Sequence, residues 1–249
     1  MTETLEHALS EALGIEHPAL ATAAQLDPEL VEAFVGMARA VRRESSLSGK
    51  EQALVNLAIN ASVPHMNAEM TRAYLRAALR EGATKGEILE VLQLTSVLGV
   101  HGTIPGAEIL TREEGGLDVL AENCAPERAA RAQKAREAFE ARRGPMTPAW
   151  QACAYQAPAL VEAYAVFSGL PWSTNHLDPR MKELVYLAID LVPQHVHMEG
   201  ARVHMIRARE KGASEDDVRS VIQMMALIGI QTQCLALPML AEELDKAGA

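Results

Sequence analysis

Residues 204–229 read HMIRAREKGASEDDVRSVIQMMALIG, and residues 74–99 read YLRAALREGATKGEILEVLQLTSVLG. Both stretches have the same plan. Apolar residues recur with a period near 3.6, the mark of an amphipathic helix. Gly82 or Gly212 then stops that helix, as glycine after a last turn does. Thr84 or Ser214 opens the next one with an acidic residue three positions on, Glu87 or Asp217, which is a capping box or its looser form. The helix that follows is apolar on nearly all sides and reads as buried.

The two stretches are 130 residues apart, and the offset extends far beyond them. Leu30-Val31-Glu32-Ala33 returns as Leu160-Val161-Glu162-Ala163. Leu54, Val55, Leu57, Ala58 and Ile59 return as Leu184, Val185, Leu187, Ala188 and Ile189. His65, Glu69 and Arg72 return as His195, Glu199 and Arg202. An internal repeat this long is a duplicated domain. Asp27-Pro28 and Asp178-Pro179 are cap-then-proline helix starts, and Pro158 opens the partner of the Pro28 helix. Further helices are predicted over about 48–62 and 178–192, and over about 66–81 and 196–211.

The fold class is therefore all-α: two tandem copies of one helical unit related by a pseudo-twofold. The expected organisation is an N-terminal repeat over 1–112, a charged helical linker over 113–146, and a C-terminal repeat over 147–249. The linker's PERAARAQKAREAFEARR reads as a solvated helix. Composition agrees, with 49% hydrophobic residues but only 4% aromatics, a balance that favours helix over sheet.

A net charge of −10 disfavours nucleic acid and anionic membrane surfaces as partners, since phosphate recognition needs basic patches. No uninterrupted apolar run approaches a membrane span, and the acidic N-terminus lacks a signal-peptide profile. Cys124, Cys153 and Cys234 are odd in number, far apart and without a CxxC. A reducing cytoplasm is the expected location.

A helix holding His204, seven residues, Gly-Ala-Ser/Thr and an apolar helix closing near glycine resemble the carboxymuconolactone decarboxylase and alkylhydroperoxidase-like superfamily. The resemblance covers residues 28–100 and 158–230. It implies an all-helical homo-oligomer, with a trimer or dimer of duplicated chains expected here, and a small-molecule substrate. The peroxidase branch carries redox cysteines seven and four residues before its histidine. Those positions are His197 and Gly200 in one copy, Asn67 and Met70 in the other. Without a thiolate and a resolving thiol there is no thiol-peroxidase chemistry. The resemblance then points to the decarboxylase branch, which opens small lactone acids without a cofactor.

Comparison of the copies sorts the candidate site. His195, Glu199 and Arg202 recur in both copies as one helical face, at i, i+4 and i+7. His197 and His204 occur only in the second copy, on another face. An imidazole titrates near neutrality and can give and take protons. His204 is the expected general acid/base, with His197, His195 and Glu199 assisting. Arg202, Trp172 on an expected loop lid, and Gln223 are candidate substrate contacts. No cofactor is expected on this reading. The alternative is a metal-dependent hydrolase or oxygenase holding zinc, iron or manganese on His195, His197, Glu199 and His204. That alternative requires His197 to precede the helix, because within it the two histidines would be ~10 Å apart along the axis. A third reading is a non-catalytic binding or assembly protein with structural histidines.

Overall fold

The computed structural model describes residues 3–248, and among these it contains helices and no strand. The chain runs through α1 (Leu5–Leu13), α2 (Pro18–Leu26), α3 (Pro28–Glu44), α4 (Gly49–Ala61), α5 (Ala68–Arg80) and α6 (Lys85–Ser96). A 3₁₀ segment (Val97–Gly102) leads to α7 (Thr103–Glu113), and α8 (Leu117–Asn123) follows. Then come α9 (Pro126–Arg143), α10 (Pro148–Gln156), α11 (Pro158–Ser173), α12 (Pro179–Asp190), α13 (Met198–Glu210) and α14 (Glu215–Met225). A second 3₁₀ segment (Ala226–Ile230) leads to α15 (Gln231–Ala247).

The repeat is longer than its sequence signature. Gly14 and Gly144, also 130 apart, follow α1 and α9 with φ of 71° and 81°. His17 and Thr147 then cap α2 and α10, each just before a proline at the first helical position. The second half of α9 is thus the counterpart of α1. The helix expected to be solvated buries Ala132, Ala135 and Phe139, an i, i+3, i+7 stripe hidden among its charges.

Two compact units cut across the repeats. One comprises 1–95 with 177–249, the other 96–176. In the first, α4 packs on α12, α5 on α4, and α13 on α12. Leu54, Leu57, Ile59, Leu184, Leu187 and Ile189 are at most 1% exposed. Truncating any of these leucines to alanine would cost about 2–5 kcal/mol. Polar contacts between the copies are reciprocal: the Ser46 backbone N–H donates to Ser220 Oγ (3.0 Å), and the Leu177 N–H donates to Glu90 Oε2 (2.6 Å). Position 220 is the counterpart of 90, and 177 of 47, the residue after Ser46, so the exchange has the form of a twofold one residue out of register. Each copy also repeats one ion pair, Lys50–Glu87 (2.7 Å) and Arg180–Asp217 (3.0 Å).

The second unit is built on α7, α9, α10 and α11. Its core includes Val100, Ile104, Phe139, Cys153 and Val161. Phe139, Trp150 and Tyr164 form an aromatic series with centroids 4.6 and 5.0 Å apart.

Residues 85–113 and 215–247 are helical throughout, with mean hydropathies of 1.2 and 1.6 over their most apolar windows. By length and composition both could cross a bilayer, contrary to the reading of the bare sequence. A core helix has the same composition, and α6 and α14 carry buried Glu87, Glu90, Asp217 and Ser220 among their apolar residues.

Candidate functional site

The site grows from the turn between α12 and α13. The backbone N–H groups of His195 and Val196 both donate to Val192 O (2.8 and 3.0 Å), and the His197 N–H donates to Asp190 O (2.7 Å). Val196 has a φ of 30°, a left-handed conformation that costs a β-branched residue about 1–3 kcal/mol. The first copy makes the same turn: His65 and Met66 donate to Ser62 O, Asn67 donates to Asn60 O, and Met66 has a φ of 42°. Strain repeated in both copies belongs to the architecture. Its effect is to fold positions 195 and 197 back over position 190.

Helix α13 begins at Met198, two residues later than expected, with His197 at its N-cap. His195 therefore lies outside the helix and shares no i, i+4, i+7 face with Glu199 and Arg202. Glu199 and Arg202 are exposed, as are Glu69 and Arg72; the structure does not draw them into a cluster.

His204 does enter one. Its Nδ1 lies 2.7 Å from Glu183 Oε2 on α12. Glu183 is 2% exposed. Its carboxylate accepts from Nδ1–H, which leaves Nε2 outside that bond. Tyr186 packs against the imidazole at a centroid distance of 4.6 Å. His204 Nε2 is 4.0 Å from Asp190 Oδ2, and His197 Nδ1 is 3.9 Å from Asp190 Oδ1. The rings of His195 and His197 are 5.9 Å apart. Gly200 is required where it stands: a Cβ there would sit 2.2 Å from Asp190 Oδ2 and 2.3 Å from His197 Nδ1.

The other expected contacts lie elsewhere. Trp172 is not on a loop lid. It is part of α11, which continues through Pro171, and Arg143 stands over its ring at 5.6 Å within the 96–176 unit. Gln223 donates to Glu44 Oε2 (3.3 Å), a contact between copies.

Sequence reasoning missed Glu183, Tyr186 and Asp190, although a signal was present. Glu183, Tyr186 and Asp190 are at i, i+3 and i+7 of α12, and their counterparts are Ala53, Asn56 and Asn60. The comparison that singled out His197 and His204 would have singled out these three, had the helix not read as plain core.

In the first copy the corresponding region is filled and neutral. Gln231 Oε1 accepts from Asn67 Nδ2 (2.7 Å) and from His65 Nε2 (2.8 Å), while Gln231 Nε2 donates to Asn60 Oδ1 (2.8 Å). Gln194 Nε2 donates to His65 Nδ1 (2.8 Å), which fixes the His65 proton on Nε2. Tyr74 stands where His204 does, buried, and desolvation pushes its phenol well above the ordinary range.

The sequence model of the carboxymuconolactone decarboxylase family matches residues 28–100 and 158–237. The chain belongs to this family. Each match covers one repeat, so the duplication is a pairing of two family units. The chain is also similar to a protein of Burkholderia xenovorans LB400 whose 1.70 Å crystal structure is provisionally named a gamma-carboxymuconolactone decarboxylase subunit, with 30% identity, a TM-score of 0.88, and coverage of 98% of this chain and 97% of that one. No curated protein matches the chain in sequence. Against the family's thiol-bearing branch, positions 197 and 200 hold histidine and glycine. Burial pushes the thiols of Cys153, on α10, and Cys234, on α15, up to about 11, far from a reactive thiolate.

Proposed function

We propose that this chain is a decarboxylase-like lyase or isomerase acting on a small carboxylated or lactone-type metabolite, with its chemistry in the C-terminal repeat. One observation carries the reading: the buried Glu183–His204 pair at 2.7 Å. A carboxylate on Nδ1 orients the ring and stabilises the imidazolium formed when Nε2 takes a proton. In a decarboxylation, the carbon–carboxylate bond breaks and carbon dioxide leaves. Its electron pair enters the conjugated lactone, and the Nε2–H of the imidazolium returns a proton to that carbon. In an isomerisation the same nitrogen removes a proton and replaces it elsewhere.

The test is turnover of gamma-carboxymuconolactone and related small lactone acids, read as carbon dioxide release and loss of conjugated absorbance. His204→Ala should lower kcat by roughly 10²–10⁴-fold without changing the helical circular-dichroism spectrum. Unchanged turnover in that variant would sink the assignment.

A homo-oligomer is part of the same reading. Leu235 and Met239 of α15 are 63% and 56% exposed and, four residues apart, share a helix face. Light scattering that shows a monomer at micromolar concentration would remove this element.

A further inference from the structure

We propose that Arg207 binds a carboxylate of the substrate that the reaction leaves intact, while His204 works at the reacting carbon. The proposal rests on the C-terminal repeat holding the reacting centre. Charge is its starting point. Glu183 and Asp190 of α12 are each 2% exposed, and their oxygens lie 2.7 and 4.0 Å from the two ring nitrogens of His204. An anionic substrate brought to that ring is repelled by both carboxylates unless a cation meets its own charge. Lys182 on α12 is not that cation: its ammonium is 3.4 Å from Glu90, and both residues are at most 2% exposed.

The helix that carries His204 supplies one. Arg207 is three residues further on, about 4.5 Å along the axis and about 60° round it, so the two side chains are neighbours on α13. Arg207 is half-buried, and among the described residues its guanidinium has no hydrogen bond or ion pair. A guanidinium has five N–H donors in a fixed fork, and it takes a carboxylate through two parallel bonds. The fold does not ask for a cation here, since the counterpart in the first copy is Ala77, 1% exposed. Arg202, the arginine suggested by sequence spacing, is exposed and about 160° round α13 from His204.

The first copy shows that this flank opens onto a shared space. Ala53, Asn56, Tyr74 and Glu81 all line one cavity of about 20 Å³. Their counterparts are Glu183, Tyr186, His204 and Lys211. The helix ends match: the Glu81 N–H donates to Ala77 O (2.9 Å) and the Lys211 N–H to Arg207 O (3.0 Å). Position 211 therefore has the same place relative to His204 as Glu81 has to Tyr74. The flank carries Ala77 and Glu81 beside the phenol, but Arg207 and Lys211 beside the imidazole. The charge change thus accompanies the histidine, as a site for an anionic ligand requires.

The test is equilibrium binding, which needs no turnover. The full chain is titrated calorimetrically with a saturated γ-lactone that carries an acetate side chain, and with the methyl ester of the same compound. The wild type should bind the acid at least roughly tenfold more tightly than the ester. Arg207→Met should weaken acid binding roughly 10–100-fold, the loss of a charge-assisted hydrogen bond, and leave ester binding unchanged. Arg207→Lys keeps the charge without the fork and should fall between the two. Arg209→Met removes the same charge from a residue paired with Glu215 at 2.7 Å, and should keep the preference for the acid. Equal affinity for acid and ester in the wild type, or binding of neither, would overturn the proposal. So would an acid preference that survives Arg207→Met or is lost equally in Arg209→Met. Failure of the acid/base reading shows separately, as unchanged turnover in His204→Ala, a variant that should keep its preference for the acid.

Discussion

Glu183 on α12 and His204 on α13 are 21 positions apart in sequence, with 2.7 Å between Oε2 and Nδ1. Neither has an equivalent in the first repeat, where Ala53 and Tyr74 occupy the two positions. If the carboxylate orients and stabilises the imidazolium, Glu183→Gln should lower kcat by roughly 10²-fold and leave KM within about twofold, since a neutral amide keeps the packing but not the charge. Equal losses in His204→Ala and the double variant would show the two acting as one unit.

Gly200→Ala tests the crowded approach of Asp190 and His197. A methyl group on a helix normally gains about 1 kcal/mol over glycine. Here it must displace the carboxylate or the imidazole, each within 2.3 Å of it. The expected outcome is a Tm unchanged or lowered, read by thermal unfolding beside the wild type. A variant with a raised Tm would show the contact to be slack.

The amide hub of the first copy should matter for stability and not for chemistry. Gln231→Leu leaves Asn60, His65 and Asn67 without the partners they have at 2.7–2.8 Å. An unsatisfied buried polar group costs about 1–3 kcal/mol, so denaturant midpoints should fall by an amount in or above that range. The kcat of the surviving folded fraction should stay the same.

Acid should weaken the fold through Glu87 and Asp217. Burial alone would raise both carboxyls. Hydrogen bonds outweigh it, from Lys50 and Thr84 to Glu87 and from Ser46 and Ser214 to Asp217, with the Arg180 charge adding to the second. Both therefore lie below their ordinary values of 4.5 and 3.8. In that window the unfolded chain binds more protons than the folded one, so the stabilisation is complete above the ordinary values and is lost as pH falls through the folded ones. Urea midpoints at pH 7 and pH 3 should converge in the Glu87→Gln/Asp217→Asn double variant.

Thiol reagents should separate the cysteines. Cys153 and Cys234 are buried with thiols near 11, while Cys124 is partly exposed. Labelling of the native chain at pH 7.5 should stop at Cys124, the others reacting only in denaturant.

Much of the architecture was legible because it is written twice. The capped starts at Thr84 and Ser214 and the stops at Gly82 and Gly212 fix α5, α6, α13 and α14 by local rules. The first helix of each repeat was not legible as a pair: Leu9 is replaced by Phe139 within a run of charges, and only the positive-φ glycines and capped prolines after them reveal the correspondence. The site was half legible. His197 and His204 stand out as unmatched residues. Asp190 and Glu183 do not, because their helix is apolar enough to look wholly structural, and the turn that brings them together depends on Val196 adopting a conformation its side chain disfavours.

The amide-filled region at Gln231 and the carboxylate–histidine region at Asp190 occupy matching places in one covalent chain. A dimer of identical subunits could not hold such a difference, since any substitution would appear on both sides of its axis at once. Fusion frees the halves from this constraint, so one can be sealed for rigidity while its twin specialises. The stoichiometry follows: an active-site titration should count one centre per polypeptide, half the number the repeats would suggest.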